Sequence, residues 1–152
     1  MPVFSWGACS LVAVAVDVAV AVAETAVGIG GYDGRDTPFA PRGPCAYKAA
    51  VEFVAVAMTV AKGFPRGCSG LVDQLRRASW SIPLNIAEGY GKRGFDDRGR
   101  YYDIARGSAH ECGAILDVAK VSQIISEEDY RRGKVLLVRV VSMLVKMSGA
   151  GG

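Results

Sequence analysis

Apolar residues recur at helical spacing through the last two-thirds of the chain. Tyr47, Val51, Val54, Met58 and Ala61 step by 4, 3, 4 and 3, the period that lines one face of a helix. Lys62-Gly63-Phe64-Pro65 then supplies a stop. Glycine suits the left-handed position after a last turn, and proline cannot continue one. A second segment opens near Ser69, a candidate N-cap. Its Leu71, Ala78 and Asn85 are seven apart, as are Leu75, Ile82 and Gly89, and together they form one seam. Pro83 sits inside it. It lacks an N–H and crowds the carbonyl of Ser79, which predicts a kink rather than a break. Gly89, Gly91 and Gly94 end the segment.

The third segment opens at Asp96 or Asp97 and carries Tyr101, Ala105, Ser108, Cys112, Ile115 and Ala119 on one seam. The fourth has the clearest start. Ser126-Glu-Glu-Asp129 resembles a capping box, with Asp at its fourth position and three acids in the first turn. Tyr130, Leu137 and Leu144 are seven apart, as are Gly133, Val140 and Met147. Arg139 and Lys146 come late, where the helix dipole favours cations.

Four amphipathic helices with short connections predict an all-α fold, an antiparallel up-down-up-down four-helix bundle over residues 44–148. Seams spaced by seven favour crossings of roughly 20°. The apolar stripes are wide. Val135, Leu136, Val138, Val141 and Val145 fall outside the narrow seam of the last helix, and a second apolar face predicts subunit contact. Leu137, Val141 and Val145 are assigned to that oligomer interface.

Residues 1–43 have another texture. From Leu11 to Ala23, valines share one parity, and alanines with Asp17 share the other. Period two with β-branched residues suggests a strand without a partner. The apolar run from Ala8 to Ala23 is 16 residues with a central Asp17, short of the roughly 20 residues of a membrane span. No Lys or Arg precedes it, so it lacks the basic region of a signal peptide. Gly28-Ile-Gly-Gly-Tyr-Asp-Gly34 fails the dinucleotide-loop spacing at Asp33. Prolines and glycines make residues 28–44 a linker. The expectation is a low-complexity extension, poorly ordered or lying upstream of the true start.

Length and charge narrow the picture. A chain of 152 residues sets a prior of one domain. Net charge is +3, split as −2 over residues 1–43 and +5 over the rest. Cys9, Cys45, Cys68 and Cys112 are far apart, which argues against a disulfide scaffold or a paired zinc site. Unpaired thiols in a reducing, cytoplasmic setting are expected, with no metal and no cofactor.

Chemistry-bearing residues form two groups. Gln74, Ser81 and Glu88 are spaced by seven beside the apolar seam, and Asn85 occupies a seam position. Unpaired buried polar groups cost roughly 1–3 kcal/mol each. A structural polar network that fixes register is therefore expected, with Glu88 meeting Arg106 or Arg77; a ligand site is the lesser alternative. His110 is the only histidine, and its neighbour Glu111 points elsewhere on a helix. The second group is basic. Lys92, Arg93, Arg98, Arg100 and Arg106 interleave with Tyr90, Phe95, Tyr101 and Tyr102, though Asp96, Asp97 and Asp103 dilute the charge. Cations neutralise phosphates and aromatics stack on unpaired bases. Tyr101 also falls on the seam, which favours a core position for it.

Several motifs occur in order: Phe64-Pro65, Gln74-Leu-Arg-Arg-Ala78, Ser81-Ile-Pro-Leu-Asn-Ile-Ala-Glu-Gly89, Ile104-Ala-Arg-Gly-Ser108 with Glu111, and the acid-rich start of the last helix. Together, from about Tyr47 to Met147, they resemble the four-helix bundle proteins encoded in intervening sequences of bacterial 23S ribosomal RNA genes. The resemblance implies a small antiparallel bundle that assembles into homopentameric rings, with no enzymatic activity. A related branch comprises accessory proteins of diversity-generating retroelements, which work with a reverse transcriptase and bind nucleic acid through a basic surface. Tyr47 stands where the family usually has Trp, and charges around the first connection are thinned to Lys62 and Arg66. Gly99, Gly113 and Gly133 inside helices cost roughly 1 kcal/mol each relative to Ala.

The expectation is a non-enzymatic, oligomeric bundle with no membrane association that binds RNA or DNA through Lys92, Arg93, Arg98, Arg100 and Arg106. The alternative is a protein-interaction scaffold for a partner enzyme, such as a reverse transcriptase, with no direct nucleic-acid role.

Overall fold

The computed structural model describes residues 46–148. The Val/Ala extension and its linker, residues 28–44, lie outside them. Helix α1 spans Ala46–Gly63, α2 Ser69–Gly91, α3 Phe95–Val121 and α4 Glu127–Met147. Each packs on its neighbour in sequence, and α1 closes the ring against α4. The described residues form an all-α, up-down-up-down antiparallel four-helix bundle.

The helix ends differ in how they are made. Ser126 caps α4: its hydroxyl oxygen accepts from the Asp129 N–H at 3.0 Å and its O–H reaches Asp129 Oδ2 at 2.8 Å. That pair satisfies one of the orphan donors of the first turn. Ser69 does not cap α2. A 3₁₀ turn, Arg66–Cys68, feeds directly into the helix, and Ser69 already has helical dihedrals. Nor does an aspartate open α3. The helix starts at Phe95, with Gly94 before it and Asp96 and Asp97 inside the first turn. Pro83 is buried within a continuous α2.

The core takes a different face of α1 from the one the spacing suggested. Ala46, Ala49, Ala50, Phe53, Val56, Ala57, Val60 and Ala61 are buried, while Tyr47 and Met58 only flank the core. Of the predicted row, only Ala61 is fully inside. The physical reason is that α1 is apolar nearly all round, so two stripes fit the same period. Alanines line the buried one because they let neighbouring helices approach closely. Similarly, Tyr102 and not Tyr101 enters the core from α3. In α4, Gly133, Leu136, Leu137, Val140 and Leu144 are buried. A Cβ on Gly133 would stand 2.7 Å from Leu116 Cδ1, so the glycine makes room for the Leu116 side chain of α3.

No helix among the described residues is long and apolar enough to cross a membrane.

Candidate nucleic-acid interface

The five basic residues assigned from the sequence begin at the turn between α2 and α3, and the fold divides them. Lys92 follows the last residue of α2, and its backbone N–H returns to the Gly89 carbonyl at 3.2 Å. Its ammonium pairs with Glu88 at 2.6 Å and lies 5.0 Å from the centroid of the Tyr101 ring. The hydrogen bond with Glu88 raises its pKa, opposed by partial desolvation. Arg98 reaches back from the first turn of α3 across the connection, and its Nη2 donates to the Lys92 carbonyl at 3.0 Å. It thereby ties the end of α2 to the start of α3. Arg106 pairs with Asp103 at 3.2 Å. These three cations are engaged within the chain.

Arg93 and Arg100 are exposed, and neither takes part in the ion pairs among the described residues. Arg100 lines an open depression with Phe95, Asp96, Asp103 and Ile104. Phe95 is 66% exposed and Tyr90 is 50% exposed. Two guanidinium groups outside the ion pairs and two exposed rings are thus spread over the end of α2, the connection and the first two turns of α3. Asp96 and Asp97 remain beside them, so the local field is mixed.

The expected polar network forms only in part. Asn85 Nδ2 donates to the Ser81 carbonyl at 2.8 Å and to Ser81 Oγ at 3.0 Å, and Ser108 Oγ donates to Ser81 Oγ at 2.8 Å. This links α2 to α3 beside the core. Gln74 is exposed and joins none of these hydrogen bonds. Glu88 is also exposed, and its partner is Lys92, not Arg106 or Arg77. The reason is local: i,i+4 neighbours on one helix meet without closing any gap between helices.

The three residues assigned to subunit contact also part company. Leu137 is only 5% exposed and belongs to the core of the single chain. Val141 and Val145 are half-buried, and Val138 beside them is 54% exposed. The apolar flank of α4 is thus Val138, Val141 and Val145. Lys134 stands on the same flank and pairs with Asp117 of α3 at 2.9 Å, so this flank borders α3.

Sequence reading missed a further basic feature. Beyond Asp129, α4 holds five cations and no acid. Arg132, Arg139 and Lys146 are exposed and seven residues apart. The seven-residue step was visible, but the dipole at the helix end offered a sufficient reason for Arg139 and Lys146.

The model of the 23S rRNA-intervening sequence protein family matches residues 45–146, the whole bundle. The chain belongs to the 23S rRNA-intervening sequence protein family. No curated protein matches it. Membership agrees with the ring of four helices and with the motif order from Phe64 to Asp129. The family match stops short of residues 1–44.

Proposed function

We propose that this intervening-sequence protein is a non-enzymatic, self-associating cytoplasmic bundle that binds RNA or DNA at the turn between α2 and α3. The observation that carries the reading is that Arg93 and Arg100, outside the ion pairs, and the rings of Tyr90 and Phe95 are all exposed within eleven consecutive residues, Arg100 and Phe95 lining one depression. Guanidinium groups attract phosphates, and exposed rings offer stacking to unpaired bases. Lys92 and Arg98 serve mainly to shape that turn, and Arg106 is held by Asp103 further along α3. Self-association supports the reading, because each added copy repeats the cations and raises avidity. The flank Val138, Val141 and Val145 supplies apolar surface for it. The family resemblance implies five copies in a ring.

Gel-shift titration of a labelled single-stranded RNA at several salt concentrations tests the binding. Arg93→Glu with Arg100→Glu is expected to abolish the shift, while Lys92→Gln changes it little. Absence of any shift at low salt overturns the reading. Size-exclusion chromatography with light scattering tests the assembly.

A second reading has its own support. Trp80 is 50% and Leu84 68% exposed on α2, which suits a scaffold that docks a partner protein. Loss of a partner on Leu84→Glu, with nucleic-acid shifts unchanged, favours it.

A further inference from the structure

We infer that the outer face of α4 is a second nucleic-acid surface, one that takes a duplex by its phosphates without reading bases. The inference rests on the nucleic-acid reading above but on different residues. Arg132, Arg139 and Lys146 are exposed and lie on one face, since residues seven apart nearly coincide around a helix. Successive cations stand roughly 10.5 Å apart along the axis, and the row covers about 21 Å.

Three features separate this row from an ordinary solvated face. First, α4 has no acid after Asp129. Its acids are confined to the first turn, where Glu127 pairs with Lys120 at 2.5 Å and Ser126 holds Asp129. Only Glu128, one turn before Arg132, offers an opposing charge on that face. Second, the other two cations of α4 are already occupied. Arg131 lies 3.9 Å from Glu127, and Lys134 pairs with Asp117. Arg132, Arg139 and Lys146 have no such partner among the described residues. Third, the helix fixes the backbone spacing of the row, so only side-chain rotamer freedom is lost in aligning it.

The absence of aromatic side chains on this face chooses the ligand. The one ring of α4, Tyr130, is turned to α3, where its hydroxyl donates to Asp117 at 2.8 Å. A face of cations without rings has nothing to stack on bases, whereas single strands are held largely by stacking. A duplex keeps its bases inside and presents phosphates in a regular array, which a rigid row of charges can meet. The α2–α3 turn, with Tyr90 and Phe95, is the contrasting surface for unpaired bases.

The test uses the full chain with a 20-base-pair RNA duplex, a DNA duplex, the single strand of the same length, and phosphatidylserine vesicles. Binding is measured against salt for the parent, for Arg132→Gln/Arg139→Gln/Lys146→Gln, and for Arg93→Gln/Arg100→Gln. Loss of three phosphate contacts is expected to flatten the duplex salt slope by roughly 2.7 per chain in the first variant. Single-strand binding should weaken mainly in the second. Arg132→Lys/Arg139→Lys keeps the charges and should keep the duplex slope, which separates charge from lost packing. An unchanged slope in the triple variant overturns the inference. So does vesicle binding without duplex binding. Single-strand binding that depends on Arg93 and Arg100, with no duplex binding, overturns it and leaves the turn reading intact. Binding of neither nucleic acid overturns both.

Discussion

The ring of Tyr102 fills the space where Gly89 has no side chain. A Cβ on Gly89 would stand 2.7 Å from Tyr102 Cε1 and 3.1 Å from Tyr101 Cβ. Tyr102 is 3% exposed, and burial raises the pKa of its phenol. The glycine thus makes room for a large ring where α2 meets α3, just ahead of the basic turn. Gly89→Ala should lower stability by about 1–3 kcal/mol through overpacking. Gly107 is the control, because nothing lies within 4 Å of its Cβ position. Gly107→Ala should raise stability by up to about 1 kcal/mol through helix propensity. Thermal melts of both variants check the pair, and shifts of the same sign would contradict the contact.

The turn after α3 stores strain at Gln123. Its φ is 57°, a left-handed conformation that costs non-glycine residues roughly 1–2 kcal/mol. The hydrogen bonds show why it is held there. Ile124 N–H bonds to the Ala119 carbonyl at 2.9 Å, and Gln123 N–H bonds to the Lys120 carbonyl at 3.0 Å. This is the Schellman pattern, whose left-handed position is usually glycine. Gln123→Gly should therefore raise stability by about 0.5–1 kcal/mol, net of its added freedom when unfolded. Gln123→Val should lower it. Urea unfolding of both variants measures the difference.

Asp117 joins α3 to α4 by accepting from Tyr130 and Lys134. Burial, and then the bond to Asp117, push the Tyr130 phenol up to about 12 from an ordinary 10. A raised phenol pKa favours the neutral form in the folded state. Its contribution is complete below pH 10 and is lost as pH climbs from 10 toward 12. Tyr130→Phe should flatten the loss of stability across that window. Denaturant melts from pH 9 to 11.5 report it.

The fold was legible from Tyr47 to Met147 because turn residues and seven-residue spacings mark four helices. The face of each helix was less so. In α1 both stripes are apolar, and only packing selects the alanine-rich one. At Tyr101 and Tyr102, adjacent identical residues leave the choice to Gly89, a contact between two helices. The polar cluster was half legible: Ser81 and Asn85 do meet, but Ser108 joins from α3, and Glu88 turns to Lys92. Spacing along one helix cannot reveal a partner on another. The five cations of the basic stretch were grouped together from the sequence, yet three of them are spent on Glu88, Asp103 and the Lys92 carbonyl.

Cys112 is fully buried, whereas Cys68 is partly exposed in the 3₁₀ turn. Burial, reinforced by Glu111, pushes the Cys112 thiol up to about 12 from an ordinary 9. The thiolate is the reactive form, so two barriers act together: reagent cannot reach the sulfur, and the sulfur holds its proton. Iodoacetamide at pH 8 should modify Cys68 and spare Cys112 in the native protein. Adding urea beyond the unfolding midpoint should make both react. Peptide mapping by mass spectrometry distinguishes the sites without mutating either. Native labelling of Cys112 at a rate near that of Cys68 would mean that α3 opens readily between Ala109 and Leu116, and the tight core around Leu116 and Gly133 would be contradicted.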